Sequence, residues 1–178
     1  MDDFELARDI EQACRLTGSF TLRSGQVATE YFDKYLFESR PALLRRVTEA
    51  MVPLLPHDTM LLGGLELGGV PIATMVSSLT GLPVIFVRKK AKEYGTCRLA
   101  EGADVDQVHV TLIEDVITTG GAVRAATLAL REQGATVETV VCAIDRSGDS
   151  EGPLTDVGVQ TRAVLTRADL DDARIAGG

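Results

Sequence analysis

Glu114 and Asp115 stand side by side after an apolar run, VTLI at 110–113, and are followed at once by Val116, Ile117, Thr118, Thr119, Gly120, Gly121 and Ala122. Two ionised carboxylates are pure hydrogen-bond acceptors, so an adjacent pair suits neighbouring sugar hydroxyls or the water shell of a bound Mg²⁺. Thr118 and Thr119 add hydroxyl donors. Gly120 and Gly121 permit a tight turn in which several backbone N–H groups converge, and a helix opening there adds positive potential. That half of the segment suits a phosphate monoester. Acceptors for hydroxyls beside donors for an anion make a site for a phosphorylated sugar. Neither GxxxxGK[ST] nor GxGxxG, the nucleotide-loop patterns, occurs in the chain.

A second segment changes character abruptly. RKKAKEYGTCRLAEG at 88–102 carries five basic residues, Arg88, Lys89, Lys90, Lys92 and Arg98, against Glu93 and Glu101. Four of these cations fall within five positions and repel one another unless an anion lies against them, and pyrophosphate fits that need. A solvated surface loop is the ordinary alternative for a charge run. Gly95 and Gly102 bracket the segment with candidate hinges.

The elements that must hold these residues can be read outward from them. VTLI is a strand entering Glu114 and Asp115, and GGAVRAATLALREQG is the helix that the Thr-Gly turn opens. The same strand, glycine turn and helix recur earlier as MLLGG and GGVPIATMVSSL. Val84–Val87 and Val137–Ile144 supply further apolar strands without strict alternation, as expected of buried parallel strands covered by helices on both faces. The apolar spacing over Asp3–Leu16 predicts a helix ending near Gly18. Phe20–Phe37 reads as short strands around SerGly, and Ser39 is positioned to cap a helix from Pro41 to about Leu55.

With 178 residues, 45% of them hydrophobic and 25% charged, the chain suits one soluble domain with its own core. A net charge of −8 argues against a nucleic-acid partner, which needs a basic face. Cys14, Cys97 and Cys142 lie far apart and form no CxxC pair, so neither a disulfide framework nor a zinc site is expected. The acidic opening MDDFELARDIEQ is not a signal peptide. Residues 67–87 carry no charge, but nine of those 21 positions are Gly, Pro, Ser or Thr, which favours a buried helix and strand over a membrane span. The expected location is the cytoplasm. His57 and His109 read as structural, and no serine or cysteine triad is apparent.

Taken together, EDVITTGG, RKKAKEYG followed by EG, FTLRSG at 20–25 and AIDR at 143–146 resemble, in family order, the orotate phosphoribosyltransferases of the type I phosphoribosyltransferase superfamily. The resemblance spans about residues 4–170 and implies an α/β fold. Its mostly parallel sheet would be flanked by helices, with a small N-terminal hood formed mainly by about residues 1–40 of a single 1–178 unit. It implies transfer of a phosphoribosyl group from phosphoribosyl pyrophosphate to orotate, in pyrimidine biosynthesis. Arg88, Lys89 and Lys92 would bind pyrophosphate, and Glu114 through Ala122 the ribose and 5-phosphate, with Lys92 and Asp115 closest to the chemistry. Arg23, Tyr31, Phe32, Thr118 and Arg146 would form the orotate site, where an aromatic face and an arginine fork suit a flat ring bearing a carboxylate. Mg²⁺ would be held through substrate and water, without a dedicated protein cage. The family further implies a homodimer with loop 88–102 acting across the interface.

Several positions depart from the family's commonest pattern. Arg23 replaces a frequent Lys, Tyr94 a frequent His, and Leu67–Gly68 a Tyr-Lys found in some members, leaving that turn with backbone groups only. A tyrosine of ordinary pKa near ~10 is a poor proton donor at neutral pH. A purine phosphoribosyltransferase and a regulator sensing phosphoribosyl pyrophosphate are the alternative readings. A regulator could dispense with RKKAK and usually carries a nucleic-acid-binding surface.

Overall fold

The strands MLLGG and VTLIEDVI are apolar on both sides of the pleat, the composition of strands covered from above and below. The computed structural model describes residues 3–21, 24–89, 99–148 and 152–176, and builds such a sheet from them. Helix α1 (Asp3–Cys14) leads into an antiparallel hairpin, β1 (Arg15–Thr21) and β2 (Val27–Phe32), and then a short helix α2 (Tyr35–Glu38). Helix α3 (Pro41–Met51) precedes β3 (Leu61–Leu65), α4 (Gly69–Thr80), β4 (Val84–Val87) and β5 (Ala100–Glu101). The chain continues through β6 (His109–Ile117), α5 (Gly121–Arg131), β7 (Thr136–Asp145), β8 (Gln160–Thr166) and α6 (Arg167–Ala176).

The main sheet has the order β5-β4-β3-β6-β7-β8; all its pairs are parallel except β4 with β5. Alternate residues of each strand enter two separate cores. Leu62, Ile113 and Val141 pack with Leu6, Ile10, Phe37, Val47 and Ile72 of the helices on one face. Leu61, Leu112 and Val140 pack with Val123 and Leu130 of α5 on the other. The mostly parallel sheet and two helical layers are those expected. The acidic pair is thereby fixed to the central strand pair, with β3 and β7 as its neighbours. No helix among the described residues is long and apolar enough to cross a membrane.

Three local expectations are corrected. Helix α1 stops at Cys14 rather than near Gly18, because Arg15, Leu16 and Thr17 pair with Phe32, Tyr31 and Glu30, giving their backbone a sheet partner instead of a helical one. Ser39 does not cap α3; its hydroxyl donates to the Leu36 carbonyl, Arg40 holds the cap position, and α3 ends at Met51 before a 3₁₀ turn at Val52–Leu54. The acidic pair does not follow a strand but lies within one. The long β7 keeps offering partners, with Glu114 opposite Cys142 and Ile117 opposite Asp145, so β6 extends to Ile117. His109 takes an exposed pairing with Asp58, Nδ1 to Oδ2 3.2 Å, consistent with a structural reading.

Candidate active site

Where β6 ends, the chain makes the turn that Thr-Thr-Gly-Gly encodes. Gly120 has φ +71°, a left-handed conformation that side chains rarely adopt, and a Cβ there would fall 2.8 Å from Leu154 Cδ2. The residue is glycine on both counts. Helix α5 begins at the next residue, and Thr118, Thr119, Gly121 and Ala122 are exposed around its N-terminus. Hydroxyls and the opening N–H groups of an 11-residue helix therefore meet solvent together, the setting that binds phosphate.

The two acids, Glu114 and Asp115, are held more tightly than their sequence position indicates. Asp115 is 0% exposed. Its Oδ1 accepts from the Val116 N–H at 2.5 Å, and its Oδ2 lies 2.5 Å from Nζ of Lys34, the residue preceding α2. The Asp115 N–H donates to Glu114 Oε1 at 3.1 Å. Glu38, at the end of α2, adds a third carboxyl beside Asp115. Gly68 closes the cluster from the β3–α4 turn, where a Cβ would sit 1.7 Å from Asp115 Oδ2.

Charge in this cluster is uneven. Burial, reinforced by the neighbouring Asp115, pushes the Glu114 carboxyl up to about 9 and that of Glu38 up to about 8. Burial works in the same direction on Asp115, but hydrogen bonds from Glu114 and Lys34 and the lysine's charge outweigh it and hold Asp115 below the ordinary carboxylate value. Burial opposes the charge of Lys34, yet its bond to Asp115 raises the ammonium's pKa overall. The negative charge thus rests on Asp115, opposite Lys34.

The base-recognition candidates are only partly brought together. The Arg146 N–H donates to the Ile117 carbonyl at 2.8 Å, tying the residue after β7 to the last residue of β6. Its guanidinium lies 5.1 Å from the centroid of the Phe32 ring, and that of Arg15 lies 5.6 Å from the same ring. Burial, then the charges of Arg15 and Arg167, lower the Arg146 pKa. No hydrogen-bonding or ion-pair partner meets its side chain among the described residues. It is a half-buried cation that no described acid pairs with directly, although the charges of Glu11 and Asp171 reach it. Tyr31 does not join it: successive strand residues face opposite ways, and Tyr31 stacks on Phe20 with ring centroids 5.5 Å apart.

Of the basic segment, Arg88 and Lys89 are placed. Their N–H groups donate to the Leu99 carbonyl at 2.9 Å and to Glu66 Oε1 at 3.1 Å. Both line a cavity of about 570 Å³ shared with Ala122 at the start of α5, so this end of the basic loop and the phosphate turn border one space. Arg23 and Lys92 lie outside the described residues, as do positions 90–98 of loop 88–102. Sequence reading missed Lys34, Glu38 and the role of Gly68. Lys34 and Glu38 are four apart and so share a helical face, but nothing local shows that this face covers Asp115.

No protein-family model matches the chain. It is 72% identical over 175 residues to an orotate phosphoribosyltransferase of Nocardioides sp. (strain ATCC BAA-499 / JS614), covering 98% of each chain. Its fold matches the orotate phosphoribosyltransferase of Mycobacterium tuberculosis H37Rv in complex with Fe(III) dicitrate, with a TM-score of 0.84, 32% identity, and coverage of 96% of this chain and 99% of that one. The same mycobacterial protein in complex with 5-phospho-α-D-ribosyl 1-diphosphate matches with a TM-score of 0.79, 29% identity, and coverage of 96% and 99%.

Proposed function

The chain belongs to the orotate phosphoribosyltransferase family, and from that premise we propose how its own residues serve the reaction. The protein transfers the 5-phosphoribosyl group of phosphoribosyl pyrophosphate to orotate, giving orotidine 5′-phosphate and pyrophosphate in pyrimidine biosynthesis. The observation that carries the assignment of residues is the hydrogen bond from the Arg146 N–H to the Ile117 carbonyl. It ties an arginine beside an aromatic ring, without an ion-pair partner among the described residues, to Ile117 of the phosphate turn, which supports reading the two as neighbouring sites for a carboxylate-bearing base and a phosphorylated sugar.

In this reading the 5-phosphate sits on the turn from Val116 to Ala122, taking N–H groups at the α5 N-terminus and the hydroxyls of Thr118 and Thr119. Asp115 and Glu114 take the ribose hydroxyls. Arg146 binds the orotate carboxylate, Phe32 lies toward the ring, and Arg23 and Thr118 complete the base site, while Tyr31 faces Phe20 on the other side of its strand. Arg88, Lys89 and Lys92 neutralise pyrophosphate as the bond to the anomeric carbon breaks and the sugar takes on oxocarbenium character. The protein positions, neutralises and excludes water; it needs no covalent intermediate.

Both oxygens of Asp115 are already engaged, by Lys34 and by Val116. That donor set fits an Mg²⁺ held by diphosphate oxygens and water, with Glu114 and Asp115 within its outer shell, and no protein cage. When bound, the ion would spread the charge of the leaving pyrophosphate. We further propose a cytoplasmic homodimer whose loop 88–102 serves the partner's site, with residues up to about 40 as the hood of a single unit.

The test is base consumption with phosphoribosyl pyrophosphate and Mg²⁺, comparing orotate, uracil, hypoxanthine and adenine. Selective use of orotate is expected. Comparable or faster use of either purine overturns the base assignment.

A further inference from the structure

Asp115 is the best-fixed acid of the site, and the group that fixes it comes from an unexpected place. Its Oδ1 is held by the N–H of the adjacent Val116, a bond that β6 supplies by itself. Its Oδ2 lies against backbone on one side, at Gly68, and among the described residues the one cation that reaches it is Lys34. Lys34 is itself well anchored. The preceding Asp33 donates its N–H to the Cys14 carbonyl at 2.9 Å and accepts from the Tyr35 N–H at 3.1 Å, so the start of α2 is tied to the end of α1.

We propose that Lys34 is a positioning residue for the sugar half of the site, its ammonium fixing the Asp115 carboxylate in the orientation that receives the ribose. The proposal rests on Asp115 being a ribose-binding acid. Three features of the packing carry it. The ion pair is 2.5 Å long, with Asp115 fully buried and Lys34 about one-third exposed, so the charge reaches the site without leaving water altogether. Glu38, four residues further along, comes from the same short helix, so α2 delivers both a cation and an acid to Asp115. Gly68 leaves the space that this arrangement needs, since a Cβ there would overlap Asp115 Oδ2 and come within 2.9 Å of Glu38 Oε1. Without Lys34, the charge on Asp115 would meet an anionic substrate without the cation paired to it among the described residues, and Oδ2 would lose that partner. Lys34 need not touch the substrate; it acts through Asp115.

The experiment is a double-mutant cycle on the full chain with Lys34→Met, Asp115→Asn and their combination, alongside Lys34→Arg. Lys34→Met is expected to lower kcat/KM for phosphoribosyl pyrophosphate roughly ten- to a hundredfold, as loss of a charge-assisted contact does. KM for orotate at saturating phosphoribosyl pyrophosphate should stay within about twofold. Lys34→Arg should recover part of the loss, because it keeps the charge while changing the geometry. In the Asp115→Asn background, Lys34→Met should add less than about twofold, since its partner is already gone. If Asp115→Asn is impaired but Lys34→Met behaves as wild type, or if the two effects multiply in full, the proposal fails while the ribose assignment stands. Wild-type behaviour of Asp115→Asn removes the ribose assignment and this proposal with it. Lys34→Gln takes the place of Lys34→Met in the same cycle should the latter not melt cooperatively.

Discussion

Arg146→Ala separates what a side chain does for the fold from what it does for the ligand. The guanidinium rests on Phe32 at 5.1 Å, and no hydrogen bond or ion pair holds it among the described residues. Truncation therefore removes one cation–π contact, about 0.5–1 kcal/mol at a partly exposed ring. It also relieves the burial of a charge and the repulsion from Arg15 and Arg167, which together lower the pKa of Arg146 against a weaker pull from Glu11 and Asp171. Those effects oppose each other, so the expected loss of stability is about 1 kcal/mol or less, a fall of roughly 2–4 °C in Tm. Orotate binding should suffer more. A charge-assisted fork to a carboxylate contributes about 1.5–3 kcal/mol, which corresponds to a roughly ten- to hundred-and-fiftyfold rise in Kd. Isothermal titration with orotate measures that rise directly, and steady-state kinetics should show KM for phosphoribosyl pyrophosphate within about threefold of wild type. Arg146→Lys should fall between the two, since a point charge cannot make the fork. An unchanged orotate Kd in a folded Arg146→Ala variant would take Arg146 out of the base site; equal damage to both substrates would show that it supports the turn and not the carboxylate.

Gly68→Ala should impair phosphoribosyl pyrophosphate use and lower stability by about 1–3 kcal/mol, an overpacking cost. The glycine has φ −67°, which any residue accepts, so steady-state kinetics and a thermal melt would read the clash with Asp115 alone; a wild-type result on both would contradict the geometry. Glu114 tests the sign of the buried charge. Its folded pKa is raised from 4.5 to about 9, so its contribution to stability is full below the ordinary value and is lost as pH rises through the folded one. The ligand-free protein should melt progressively lower across that window, and Glu114→Gln should flatten the slope, leaving the part due to Glu38; an identical slope in the variant would refute the protonated Glu114. Lys92→Ala should lower kcat more than it raises KM. Mixing it with inactive Asp115→Ala subunits should restore up to roughly a quarter of wild-type activity if the loop serves the partner's site, and none despite proven heterodimers if it does not.

Much of this was legible in the sequence because it is local. VTLI followed by a Thr-Gly turn and an amphipathic helix specifies strand, turn and helix within about two dozen residues, and Gly120 stands where a left-handed backbone is required. The two-sided apolar strands gave a covered parallel sheet for the same reason: burial on both faces is written into each strand. What stayed hidden depends on partners far along the chain. The end of α1 is set by β2, the length of β6 by β7, and the cover over Asp115 by α2. Helical spacing over Asp3–Leu16 cannot register that Arg15 pairs with Phe32, nor can the DKYLFE stretch show which strand it will cross. Tyr31 and Phe32 looked like one aromatic face in sequence, but strand alternation separates them, sending one to Phe20 and the other to the arginines.

A chain with a net charge of −8 that handles a polyanionic sugar must keep its acids from repelling it, and the site does so without removing them. Asp115 keeps its charge, but Lys34 lies 2.5 Å from it. Glu114 is buried and Glu38 half-buried beside that same charge, and both are pushed toward the neutral form. A protonated carboxyl still offers an acceptor and gains a donor, so hydroxyl recognition survives neutralisation. On either side the cations are less fully spent: Arg146 makes no ion pair among the described residues, Arg88 and Lys89 border the cavity beside α5, and the helix N-terminus is exposed. On the proposed assignment, the cations lie toward both places where the substrates carry negative charge, and the acids between them are the ones that would grip the ribose. Net charge describes the surface of this protein; the site is governed by which acids burial has silenced and which cations it has left unpaired.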